Sequence, residues 1–145
     1  MEVLAYVVAA EEDEAEAVGL AAQPMVEWSG MQVSGLDTAK VAMLHCLLTG
    51  DEYDYAIAGY EPVFVGGDEG PVVVLVSTAA MERLAELDEE ALEQLAEELS
   101  ATEDFELDGW DAGQTLDLLL DMAELAQLAE SQGQVLFVWM CPLTA

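Results

Sequence analysis

The chain has 145 residues, 54% hydrophobic and 23% charged, yet 31 charges are Asp or Glu and only Lys40 and Arg83 oppose them, leaving a formal net charge of −29. That hydrophobic fraction excludes intrinsic disorder, which combines low hydrophobicity with high net charge, and one domain is the default at this length. Two cations cannot neutralise a run of phosphates, so direct nucleic-acid binding and docking to an anionic membrane are excluded as well.

Residues 3–9 are apolar and rich in strand formers, which predicts a buried strand. The apolar start carries no basic stretch and so does not read as a signal peptide. No apolar run reaches the ~18 residues of a membrane span. Residues 11–16 hold five acids in six positions, which suits the positive end of a helix dipole. A short helix to about residue 22 follows, stopped by Pro24. Residues 25–33, with Trp28 and Gly30, read only as a loose strand.

Ser34 or Asp37 can cap a helix over residues 36–49, where Leu36, Lys40, Met43, Leu44 and Leu47 recur at helical spacing. Lys40 is the misfit that must snorkel or pair, and Gly50 ends the helix. Residues 51–60 read as a loop holding Tyr53, Tyr55 and Tyr60. Residues 62–65 and 72–76 are strand-like, and Gly66-Gly67-Asp68-Glu69-Gly70-Pro71 between them predicts a hairpin turn.

Ser77 or Thr78 caps a helix to about residue 86. Asp88 caps another to about residue 99, with Leu92, Leu95, Ala96 and Leu99 as its buried stripe. Residues 100–113 read as irregular, anchored by Phe105 and Trp110. Residues 115–131 form the longest helix, with Asp117, Asp121 and Glu124 on one polar strip; Gly133 ends it and residues 134–141 make a final strand. Strands at both ends with four to five helices between predict a single α+β domain spanning the chain, built on a small mixed sheet. Cys46 and Cys141 are too few and too far apart for a disulfide framework. They read as buried thiols in a reducing, cytoplasmic compartment.

The segment Leu44-His45-Cys46-Leu47-Leu48-Thr49-Gly50 resembles the leucine-histidine, leucine-leucine-threonine-glycine stretch of the YfbM-like domain family. Ala56-Ile57-Ala58-Gly59, the Gly70-Pro71 before an apolar strand, the Ser77-Thr78 helix start and a last helix ending at Gly133 also fit. Val41 stands where the family often has tryptophan, Leu36-Asp37 is one residue out of register, and a proline-bearing motif before the last helix is missing. The resemblance implies a small α+β domain of bacterial or phage type and no activity. It marks His45, Thr49 and Gly50 as an alternative site or merely a helix end.

His45, the one histidine, could be a general base or metal ligand. The plainer reading is a helix-terminal ring bonded to a local carbonyl. Cys46 points about 100° away from it on a helix and cannot easily share a metal. A negative field raises thiol pKa, the wrong direction for a reactive cysteine. The Gly66–Pro71 turn lacks the lysine of a phosphate loop and carries two acids. Neither Asp51-Glu52-Asp54 nor Asp104-Asp108-Asp111 matches a calcium loop. No catalytic residue, metal or cofactor is therefore expected.

The acidic faces are the informative feature. Glu89 and Glu93, Glu93 and Glu97, and Glu86 and Glu90 lie four apart, and like charges so placed oppose a helix by ~0.2–0.5 kcal/mol per pair. Such crowding predicts carboxylates that titrate high and stability that rises with salt. Three explanations compete: a basic protein partner, a salt-rich solvent, and solubility or charge engineering. A basic partner is the reading adopted, in the manner of immunity, antitoxin or DNA-mimic inhibitors. The candidate contacts are Glu86, Glu89, Glu90, Glu93, Glu97, Asp117, Asp121 and Glu124.

Overall fold

The apolar runs near the two ends of the chain pair with one another. In the computed structural model, which describes residues 3–21, 23–67 and 70–142, β1 (Val3–Ala10) and β5 (Val135–Pro142) lie antiparallel at the centre of a five-stranded sheet. β2 (Ser29–Ser34) flanks β1. β4 (Val72–Leu75) flanks β5 and carries the short β3 (Phe64–Val65), giving the order β2-β1-β5-β4-β3. Both faces of the central strands are covered, so their sequences run apolar without alternation. Ala5, Val7, Ala9, Leu136, Val138 and Met140 face the larger core; Val8, Ala10, Phe137 and Trp139 face a smaller one.

The smaller core is closed by α1 (Ala15–Leu20), whose Val18 is buried, and α2 (Pro24–Glu27) lies against β1 and β2. The larger core is roofed by α3 (Thr38–Thr49), α5 (Thr78–Glu86), α6 (Glu89–Ser100) and α8 (Ala112–Gln132). α4 (Tyr53–Gly59) packs on α3, and α7 (Glu103–Leu107) on α3 and α6. Caps follow sequence chemistry. The side chains of Asp37, Ser77, Asp88 and Asp111 each accept a backbone N–H of the helix they start. Leu92, Leu95, Ala96 and Leu99 are all buried, as their spacing predicts.

The α+β class and the strands near both ends agree with expectation, but details differ. Every described strand pair is antiparallel, not mixed, because the path of the intervening helices sets strand direction and hydrophobic pattern does not encode it. The helices exceed four to five because α2, α4 and α7 are short, and so few turns show little periodicity. Pro24 opens a helix instead of stopping one; at the first helical position its missing N–H is no loss. Cys46 and Cys141 are half-buried, not fully buried. Glu86 closes α5, so it shares no helix with Glu90. Asp68 and Glu69 of the predicted turn lie outside the described residues; beside them Gly66 N–H donates to the Pro71 carbonyl at 2.8 Å.

Lys40 pairs rather than snorkels. It is 1% exposed, and its Nζ donates to Asp37 Oδ2 at 3.3 Å and to Asp108. The ammonium thus ties the start of α3 to the turn after α7, and it holds the Asp108 carboxyl below its ordinary range. Among the described residues no helix is long and apolar enough to cross a membrane.

Candidate functional site

The end of α3 builds a polar cluster. Gly50, at φ 84°, reverses the chain in the left-handed region and donates its N–H to the Cys46 carbonyl at 2.8 Å. The Thr49 hydroxyl donates to the His45 carbonyl at 2.9 Å and accepts the Asp51 N–H at 3.2 Å. This brings Asp51 back over the last turn, where Oδ2 lies 2.7 Å from His45 Nε2. His45, Thr49 and Gly50 lie at the end of α3, and that end places a carboxylate on an imidazole. The ring itself bonds no carbonyl, contrary to the expectation: three side chains surround it.

His45 Nδ1 faces two hydroxyls, Tyr60 Oη and Ser77 Oγ, each at 3.0 Å. An ionised carboxylate only accepts, so Nε2–H donates to Asp51 and Nδ1 is the acceptor in the neutral ring. Ser77 Oγ caps α5 by accepting the Ala80 N–H at 3.1 Å, leaving its proton for Nδ1. Tyr60 Oη accepts the Ser77 N–H at 3.2 Å and competes for the same lone pair. A protonated ring fits equally, with Nδ1–H then donating to one hydroxyl oxygen. The His45 hydrogen bond holds the Asp51 carboxyl below its usual range, and the Thr49 contact adds to that. Burial pushes the Tyr60 phenol up, against the bonds from Ser77. Burial and then the Asp51 charge raise the Cys46 thiol, so it is not activated. The carboxylate shifts resolved at Asp51 and Asp108 are downward, because each has a hydrogen-bond donor of its own.

The cluster opens on a cleft of about 650 Å³ walled by Tyr55, Tyr60, Glu61, Val63, Leu75 and Ala79. Carboxylate, imidazole and hydroxyl stand in the order of orienter, base and nucleophile, with the two ring nitrogens exchanged relative to a serine-hydrolase triad. Among the described residues no three His, Cys, Asp or Glu side chains converge as a metal-holding group. Composition and spacing could find His45 and its helix end. They could not find Tyr60 and Ser77, which are 15 and 32 residues away and arrive through tertiary packing.

The predicted contact acids are all exposed: Glu86, Glu89, Glu90, Glu93 and Glu97 on the α5–α6 side, and Asp117, Asp121 and Glu124 on α8. They do not join the His45 cluster. None takes part in an ion pair among the described residues. Of the two cations, Lys40 is buried and Arg83 alone is exposed. No protein-family profile and no curated protein matches the chain. In structure it is similar to YfbM from Escherichia coli, a protein of unknown function, with a TM-score of 0.43 and 17% identity over 94% of this chain and 99% of that one. That is the family that the segment from Leu44 to Gly50 resembles.

Proposed function

We propose that the chain is a non-catalytic acidic protein that binds and neutralises a basic protein partner. An immunity, antitoxin or DNA-mimic type of inhibitor is the concrete form. One observation carries the reading: among the described residues, whole helix faces of exposed carboxylates stand without ion-pair partners, while the lysine is buried in the fold. Glu89, Glu93 and Glu97 repeat along α6 at a spacing that opposes the helix, so folding alone does not favour them. Their field steers a cationic surface toward them. A single exposed ion pair is worth only ~0.2–1 kcal/mol, so binding rests on many together and weakens with salt.

A low-salt pull-down from the native host with mass spectrometry tests this. The wild type should retain a basic protein. A variant carrying E89Q, E90Q, E93Q, E97Q, D117N, D121N and E124Q should not. Equal recovery by both would sink the reading.

A second reading is favoured by the cleft beside His45. Asp51 and Glu61 line it and, among the described residues, no lysine or arginine does, so it suits a small neutral or cationic molecule with an apolar body. If the chain binds no basic protein at low salt, and His45→Ala abolishes a measurable turnover that the acidic-face variant keeps, this reading replaces the first.

A further inference from the structure

β2 is an edge strand: among the described residues, β1 pairs with one side of it and nothing pairs with the other. Gly35 N–H donates to the Val3 carbonyl at 2.7 Å, which fixes the alternation along the β1–β2 ladder. The amides of Val33 and Met31 therefore turn toward β1. Those of Gly30, Gln32 and Ser34 turn outward, in the alternating pattern that an added strand pairs with.

Beside this edge runs the polar strip of α8. Ser29, Gly30 and Met31 share a hollow of about 430 Å³ with Asp121 and Glu124. Met31, Gln32, Val33 and Ser34 share a second, of about 260 Å³, with Asp117 and Asp121. From Asp117 to Glu124 the helix rises ~10 Å, the length of about three residues of extended strand. An open edge invites pairing with any strand, so charge decides the occupant. A second copy of this chain would set Asp117, Asp121 and Glu124 against an equally acidic molecule of net charge −29. A cationic segment gains attraction at every one of these positions.

We propose that the free edge of β2 takes up an extended, lysine- or arginine-bearing segment of a basic protein as a sixth strand, with the cations of its α8-facing side chains meeting Asp117, Asp121 and Glu124. This rests on the basic-partner reading and adds where that partner docks and in what conformation.

Amide hydrogen exchange by NMR on the full chain at low salt tests it, with a short peptide of alternating lysine and valine as probe. Exchange at Gly30, Gln32 and Ser34 should slow about tenfold or more on saturation, while the exposed face of α6 is unaffected. A glutamate–valine peptide should have no effect. The D117N, D121N, E124Q variant, whose changes are all at exposed positions, should bind the lysine peptide about tenfold or more weakly. Binding that leaves these three amides unprotected overturns the docking mode and leaves the acidic-surface reading standing. So does a basic protein that binds where the peptide fails. Protection that grows with protein concentration, without peptide, assigns the edge to a second copy and overturns the proposal. If neither the peptide nor any basic protein binds, the underlying reading falls with it.

Discussion

Replacing Lys40 with methionine keeps most of the buried stem and removes the ammonium. In the wild type that ammonium is 1% exposed and lies between the Asp37 and Asp108 carboxylates, which are 43% and 54% exposed. Removing one member of a fully buried ion pair destabilises by ~3–5 kcal/mol, because a charge is left uncompensated. Here both orphaned carboxylates keep contact with water, which reduces the expected loss to ~1–3 kcal/mol. The helix cap itself survives, since Asp37 Oδ1 accepts the backbone N–H of residue 40 at 2.9 Å. In a domain of this size ~1 kcal/mol moves Tm by ~2–6 °C, so Lys40→Met should melt ~2–18 °C lower by calorimetry. Part of that loss should vanish in an Asp108→Asn background, where the ammonium has one partner fewer. The Asp108 carboxyl should also titrate closer to its ordinary 3.8 in Lys40→Met, because the Lys40 hydrogen bond is the largest cause of its depression. A variant melting within ~1 °C of wild type would refute the reasoning.

Three other outcomes follow from the same geometry. Asp51 and Asp108 titrate below 3.8 when folded, so the stability they contribute is present above that pH and lost as pH falls below it. Asp51→Asn and Asp108→Asn should each flatten the acid limb of Tm against pH. Tyr60→Phe leaves the Ser77 N–H without its acceptor and should destabilise by ~1–2 kcal/mol in urea titrations. Gly50→Ala forces a side chain into φ 84° and should destabilise by ~1–2 kcal/mol. It should also disturb the His45 ring signals by loosening Asp51.

Much of the fold is legible because local chemistry and tertiary need agree. Asp88, the stripe from Leu92 to Leu99, Gly50, Gly133 and the strands near both ends all behave as their spacing demands. The failures have a common cause. α2, α4 and α7 span from 4 to 7 residues and are held by packing on neighbours more than by a periodic stripe. The acidic loop residue Asp51 reads as one of a cluster until Gly50 is seen to turn it onto His45. Ser77 is legible as a cap, but its second bond, to His45, depends on α3 and α5 packing side by side. Lys40 announces a pairing need in the sequence, and its distant partner Asp108 does not. The acidic faces are legible as exposed faces. The groove that joins the α8 strip to the β2 edge emerges only from the sheet order.

The most direct test of the central claim is the dissociation constant of the wild-type chain for its captured basic protein, measured across salt. Binding through the α6 and α8 carboxylates predicts affinity that falls steeply, by about a hundredfold or more, between low and high salt, and a shallower slope in the carboxamide variant. An affinity indifferent to salt and to those substitutions would contradict the account.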